Sequence, residues 1–128
     1  MIVGNARYVK REDLPETVRV FPLTGALLLP GGQLPLNIFE PRYLAMFDAA
    51  LGGDRLIGIV QPALSDQVGN DVARPSLSSV GCIGRITSFA ETGDGRYITS
   101  LSGVCRCRLL EEIGEGYPFR SFRIAPLM

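Results

Sequence analysis

The feature that most constrains this chain is a stretch without charge. Between Arg19 and Glu40 no residue is ionisable, so Val20 to Phe39 is long enough to form a membrane-spanning helix. It cannot be one. Pro22, Pro30 and Pro35 lack the backbone donor a helix needs, and Gly25, Gly31 and Gly32 lower helix propensity further. What remains is a series of short buried strands joined by tight turns. Strands are expected at 18–21 and 27–29 around a Thr24-Gly25 turn, then a turn at Gly31-Gly32. Leu34, Leu36 and Ile38 next alternate with Pro35 and Asn37, the period of a half-buried strand. Pro35 cannot donate to a ladder, which puts that strand at an edge or interrupts it.

The pattern turns helical at Phe39-Glu40-Pro41-Arg42-Tyr43. Pro41 suits the first helical position, where an amide hydrogen would have no partner. Tyr43, Leu44, Phe47, Ala50 and Leu51 follow at helical spacing with Met46 beside them, and Gly52-Gly53 is expected to supply a left-handed stop, giving a helix over 41–51. Further strands are expected at Leu56–Val60, Val80–Ala90, Arg96–Leu101, Val104–Ile113 and Phe119–Ile124. A break falls at Gly103, with turns at Gly93–Gly95 and Gly114–Pro118. The polar connection 62–78 is long enough to be functional or mobile. Seven or eight short strands and one helix describe a mainly β domain, a small barrel of short strands plugged on one side by its principal α-helix.

A specific order of residues within this pattern resembles a known family. Val20-Phe21-Pro22-Leu23, Leu29-Pro30-Gly31 and the run from Leu34 through Phe39-Glu40-Pro41-Arg42-Tyr43 are similar to the start of the Lon amino-terminal (substrate-binding) domain. Val80-Gly81-Cys82-Ile83-Gly84-Arg85-Ile86, Asp94-Gly95-Arg96-Tyr97 and Gly103-Val104-Cys105-Arg106 continue in that family's order. The resemblance covers about residues 17–110 and implies a PUA-like pseudo-barrel that recognises protein substrates. It makes Phe39, Glu40, Pro41, Arg42, Tyr43, Gly84, Arg85, Gly103 and Arg106 motif residues. Cys107 stands where the family usually carries an aromatic residue. A helical subdomain commonly follows the barrel in this family and is expected to be absent or truncated here. Residues 1–16 read as a loosely ordered leader ahead of a domain at 17–128.

Composition narrows the chemistry. There is no histidine, which excludes Ser-His-Asp and Cys-His nucleophile pairs and mixed zinc sites. There is no phosphate-binding Gly-x-x-x-x-Gly-Lys-Ser/Thr loop, and the only lysine, Lys10, lies in the leader and cannot serve a serine–lysine peptidase. The chain alone is therefore expected to be no enzyme, with no catalytic residue, metal or cofactor. Three cysteines and no apolar signal segment point to reduced thiols and a cytoplasmic location. Cys105 and Cys107 share a strand face, and with Cys82 they lack a fourth zinc ligand, so they are read as buried small hydrophobes.

Three constellations invite a function. Glu40 and Arg42 would make a base and an anion holder, but one acid and one arginine at a helix start are better read as structure, with the carboxylate favoured by the helix dipole and Tyr43 packed into the core. Arg85, Arg96, Arg106 and Arg108 would make a basic stripe for RNA. A formal net charge of +0, acids interleaved with the arginines and no evident stacking aromatics weigh against nucleic acid, as the lack of any overall field does against a membrane. Leu27, Leu28, Leu29, Leu34 and Leu36, with Met46, are more apolar than a small barrel needs. They are read either as core or as a groove, rimmed by the 62–78 connection, for a protein partner. The favoured function is a non-catalytic module binding unfolded or hydrophobic polypeptide, in partnership with a protease or another protein, with weak self-association allowed. The alternatives are an adaptor docking one folded partner and, behind it, an RNA-binding barrel.

Overall fold

One very long strand organises the molecule. The structure, a computed structural model, describes residues 1–63, 76–114 and 118–128. It contains β1 (Ile2–Val3), β2 (Ala6–Arg7), a 3-10 turn (Arg11–Asp13), β3 (Thr17–Pro22), β4 (Gln33–Ile38), α1 (Pro41–Leu51), β5 (Leu56–Val60), β6 (Val80–Glu91), β7 (Tyr97–Ile113) and β8 (Arg120–Leu127). The sheet order is β4-β7-β6-β5-β3-β8, and β8 pairs a second time with β7. That second pairing closes β3, β5, β6, β7 and β8 into a barrel. The first half of β7 projects as an arm between β6 and β4, and its second half belongs to the barrel wall between β6 and β8. The molecule is thus mainly β, with a single α-helix among the described residues.

The residue pattern explains the layers. β5 (Leu-Ile-Gly-Ile-Val) is buried along its whole length because both of its faces are covered. Leu56 and Val60 point into the barrel with Val18, Val20, Ile83, Cys105, Cys107, Phe122 and Ile124. Ile57 and Ile59 face the other way, into a second core with Phe21, Met46, Phe47, Ala50 and Leu101 that α1 helps to cover. β3 and β5 run parallel, as a crossover through β4 and α1 requires. Register shifts at Ile83/Gly84 and Ile86/Ser88 in β6–β7, and at Leu109/Glu112 in β7–β8, bend these long strands enough to close the barrel.

Several boundaries differ from the sequence expectations. Residues 27–29 are not a strand; the chain there is loop. Gly103 does not end a strand but lies inside β7, next to a shift in register. The helix stop at Gly52 is right-handed (φ −79°, ψ −4°), and the left-handed residue is Arg55 (φ 64°), three residues on. In place of a loose leader, residues 1–16 hold the β1–β2 hairpin and send Val3, Tyr8 and Leu14 into the barrel core. Arg85 fastens that hairpin, donating to the Tyr8 hydroxyl at 3.0 Å and to the side-chain oxygen Oδ1 of Asn5 at 2.8 Å. Pro35 lies on the outermost strand β4, where its missing donor is tolerated. Of the long connection and the Gly114–Pro118 turn, residues 64–75 and 115–117 lie outside the described residues.

Candidate protein-binding groove

The loop between β3 and β4 crosses the outside of the barrel and is fixed at both ends. Gln61 donates its side-chain amide to the Ala26 carbonyl (3.2 Å). Gly31 donates to the Gly103 carbonyl and Gly103 to the Gly32 carbonyl, both at 2.9 Å. This close backbone approach is why position 103 is glycine: a β-carbon there would stand 2.7 Å from the Leu29 carbonyl carbon and nearer still to its oxygen. Gly84 works the same way for a side chain, since a β-carbon would come within 2.8 Å of a Leu28 methyl. Leu28 is therefore an anchor, only 3% exposed, and it holds out Leu27 (66%) and Leu29 (52%) on either side.

Between this loop and β5–β6 lies an open groove of about 380 Å³. Its floor is Ile59, Val80, Gly81 and Cys82, and its rim includes Gln61, Ser78 and Arg106. Gly81 contributes only backbone to the floor, since a β-carbon there would point into the barrel, 2.6 Å from a Val60 methyl. Burial raises the Cys82 and Cys107 thiols to about 12 and raises Cys105 as well, so all three stay protonated and serve as small apolar groups. A second cavity of about 400 Å³ lies where Pro15–Arg19 meets Phe119 and Ser121, with the Arg19–Asp54 ion pair (3.3 Å) on its wall.

The six residues read from the sequence as a groove do not come together. Leu27 and Leu29 are exposed on it and Leu28 lines it from a core position. Met46 is fully buried, because it stands one turn from Tyr43 and Ala50 on the inward stripe of α1 rather than beside it. Leu34 and Leu36 are half-buried on the inner face of the arm, opposite Leu101 and Thr99, and do not line the groove. The floor residues were missed. The signal for them was the doubly apolar β5, whose outward Ile59 aligns with Cys82.

The motif residues divide by role. Glu40 occupies the N-cap without a side-chain cap bond and sits 3.9 Å from Arg42, at the surface. Tyr43 stacks on Phe21 (ring centroids 4.2 Å apart), and its burial raises the phenol's pKa. Phe39 is 63% exposed. The arginines do not form one stripe: Arg85 is committed to the N-terminal hairpin and Arg96 pairs with Asp94 at 3.1 Å. Arg106 and Arg108 remain together on the outer face of β7.

Residues 17–127 match the family model of the ATP-dependent protease La (LON) substrate-binding domain. The chain belongs to the LON substrate-binding domain family. It is 27% identical over 116 residues to Lon protease 2 of Myxococcus xanthus, an alignment covering 91% of this chain and 14% of the relative. It is 30% identical over 97 residues to the Lon protease of Desulfosudis oleivorans, covering 76% and 12%. The chain thus spans only about one-seventh of the curated relatives it matches. A Lon N-terminal domain protein from Xanthomonas campestris superposes with a TM-score of 0.67 at 22% identity, over 88% of this chain and 60% of that one. The N-terminal domain of the Mycobacterium avium complex Lon protease gives 0.66 at 17%, over 88% and 55%. At these identities the structural likeness is one of fold. No helix among the described residues is long and apolar enough to cross a membrane.

Proposed function

We propose that this LON substrate-binding domain is a non-catalytic recognition module that holds unfolded or hydrophobic segments of protein clients in the groove beneath Leu27 and Leu29. The observation that carries the reading is the loop itself. Two large apolar side chains are held in water by a third that is locked in the core, beside an apolar floor. Exposure of that kind is a usual mark of a protein partner. The protonated thiols fit a reducing, cytoplasmic setting. At about 25 cal/mol per Å² of apolar area, less the cost of association, a groove this shallow binds at micromolar strength, which suits sampling helped by tethering.

The test is an anisotropy titration of the domain against a labelled, permanently unfolded protein. Saturable binding that persists at high salt and falls about tenfold in Leu27→Ser/Leu29→Ser supports the reading. Absence of binding by the folded domain, or equal binding by the double variant, refutes it. Docking of one folded partner is the second reading, and it draws on different residues: Phe39 and Ile98, both more than half exposed on the arm. In that case Ile98→Ser, and not the leucine pair, removes the interaction.

A further inference from the structure

We infer that the groove favours apolar segments carrying acidic residues beside the apolar stretch, the carboxylates meeting Arg106 and Arg108. The inference rests on the groove being a polypeptide site and adds which polypeptides it prefers.

The register sets the chemistry. Ile59 of β5 lies opposite Cys82 of β6, and Cys82 lies opposite Arg106 of β7; in the next row Val80 lies opposite Arg108. Directly opposed residues project on the same side of a sheet. The outer face therefore passes from apolar floor to cation within one strand spacing, about 4.8 Å. Arg106 lines the groove and Arg108 follows two residues along, about 7 Å away on the same face.

These two charges have no ion pair among the described residues, as Arg7, Arg11 and Arg55 also have none, but they stand at the groove. Arg19, Arg42, Arg96, Arg120 and Arg123 each face a carboxylate: Asp54, Glu40, Asp94, Glu112 and Glu111 in turn. Arg106 and Arg108 are exposed and have no ion-pair partner among the described residues. Like charges two apart on one strand face repel each other, and an incoming anion relieves that repulsion. A guanidinium accepts a carboxylate in fork geometry, so an extended client with acids at i and i+2 matches the spacing. Nucleic acid shares the anion but not the rest of the site, because no aromatic side chain among the described residues lines the groove to stack a base.

The experiment uses two labelled peptides with the same apolar sequence, one carrying two aspartates two residues apart beside it, the other two asparagines. The aspartate peptide is expected to bind the whole chain about three- to tenfold tighter at low salt, the size of one or two part-exposed charge-assisted contacts. That ratio falls to near one in Arg106→Gln/Arg108→Gln, whose folding is checked by circular dichroism. It falls likewise for the parent protein at high salt, which keeps the test open if the double variant does not fold. Equal affinities for the two peptides in the parent overturn the acid preference while leaving the groove standing. A ratio that survives the double substitution also overturns it. Failure of both peptides to bind overturns the groove and this inference together. Equally tight binding of oligoaspartate without apolar residues, or displacement by an unstructured oligonucleotide at matching concentration, shows a general anion surface and overturns the inference.

Discussion

Gly103→Ala is a small change that should be felt both in stability and at the groove. The added methyl carbon would stand 2.7 Å from the Leu29 carbonyl carbon and 3.2 Å from the Pro30 α-carbon, where carbon atoms in contact keep about 3.5–4.0 Å. The loop must then retreat by about 1 Å. The two hydrogen bonds that tie Gly31 and Gly32 to Gly103 start at 2.9 Å and would stretch past the limit of a useful bond. At about 1 kcal/mol each, with some strain left in β7, the loss is about 2–3 kcal/mol. For a domain of this size that lowers the melting temperature by about 10 °C. Thermal and urea unfolding measure it. Gly93→Ala is the control, since a β-carbon there meets nothing within 4 Å. Because the displaced loop carries Leu27 and Leu29, binding of an unfolded client should weaken in Gly103→Ala at a temperature where the variant is still folded. A loss under about 0.5 kcal/mol, the range of ordinary surface substitutions, would refute the close-approach argument.

Leu28→Ala is expected to cost about 2–5 kcal/mol, as for other buried leucines, whereas Leu27→Ser should stay within about 0.5 kcal/mol; urea midpoints compare the two. The buried thiols make a pH prediction. Cys82 and Cys107 titrate at about 12 in the fold against an ordinary 9.0, so the folded state holds its protons longer than the unfolded chain. Their contribution is full below about pH 9 and is lost as pH rises from 9 towards 12. Urea titrations at pH 8 and pH 10.5 should show the midpoint falling, and falling less in Cys82→Ala/Cys107→Ala relative to its own value at pH 8. Arg55→Gly places glycine at a left-handed position (φ 64°) and is expected to raise stability by about 0.5–1 kcal/mol in thermal unfolding.

Much of the architecture was legible because it depends on local pattern. Pro41 and the stripe through Ala50 fixed α1, and the apolar run from Leu56 to Val60 fixed β5, each at its observed bounds. The errors have a common cause. Gly103 reads locally as a breaker, yet its lack of a side chain answers to a backbone segment more than seventy residues earlier in the chain. Residues 27–29 are apolar enough to read as a strand, but β4 and not this segment takes the flank of β7. The N-terminal sixteen residues look weak in sequence because Val3, Tyr8 and Leu14 are scattered, and their burial exists only once the barrel offers an open end and Arg85 a latch.

The sequence alone determined that the charge-free stretch must fold as turns and strands, that one helix begins at Pro41, and that the chain resembles the family to which it belongs. These follow from proline and glycine chemistry, from hydrophobic period and from residue order, all of which are read along the chain. Only the tertiary structure decided which apolar residues meet water. Leu27, Leu28 and Leu29 are chemically identical neighbours, and what separates the middle one is a space above Gly84 that another strand provides. The same holds for Arg106, which resembles the other arginines in sequence and differs from them in lying beside an apolar floor with no acid among the described residues to pair with it. Exposure and charge pairing are properties of what lies opposite a residue, and that is set by register and closure of the sheet.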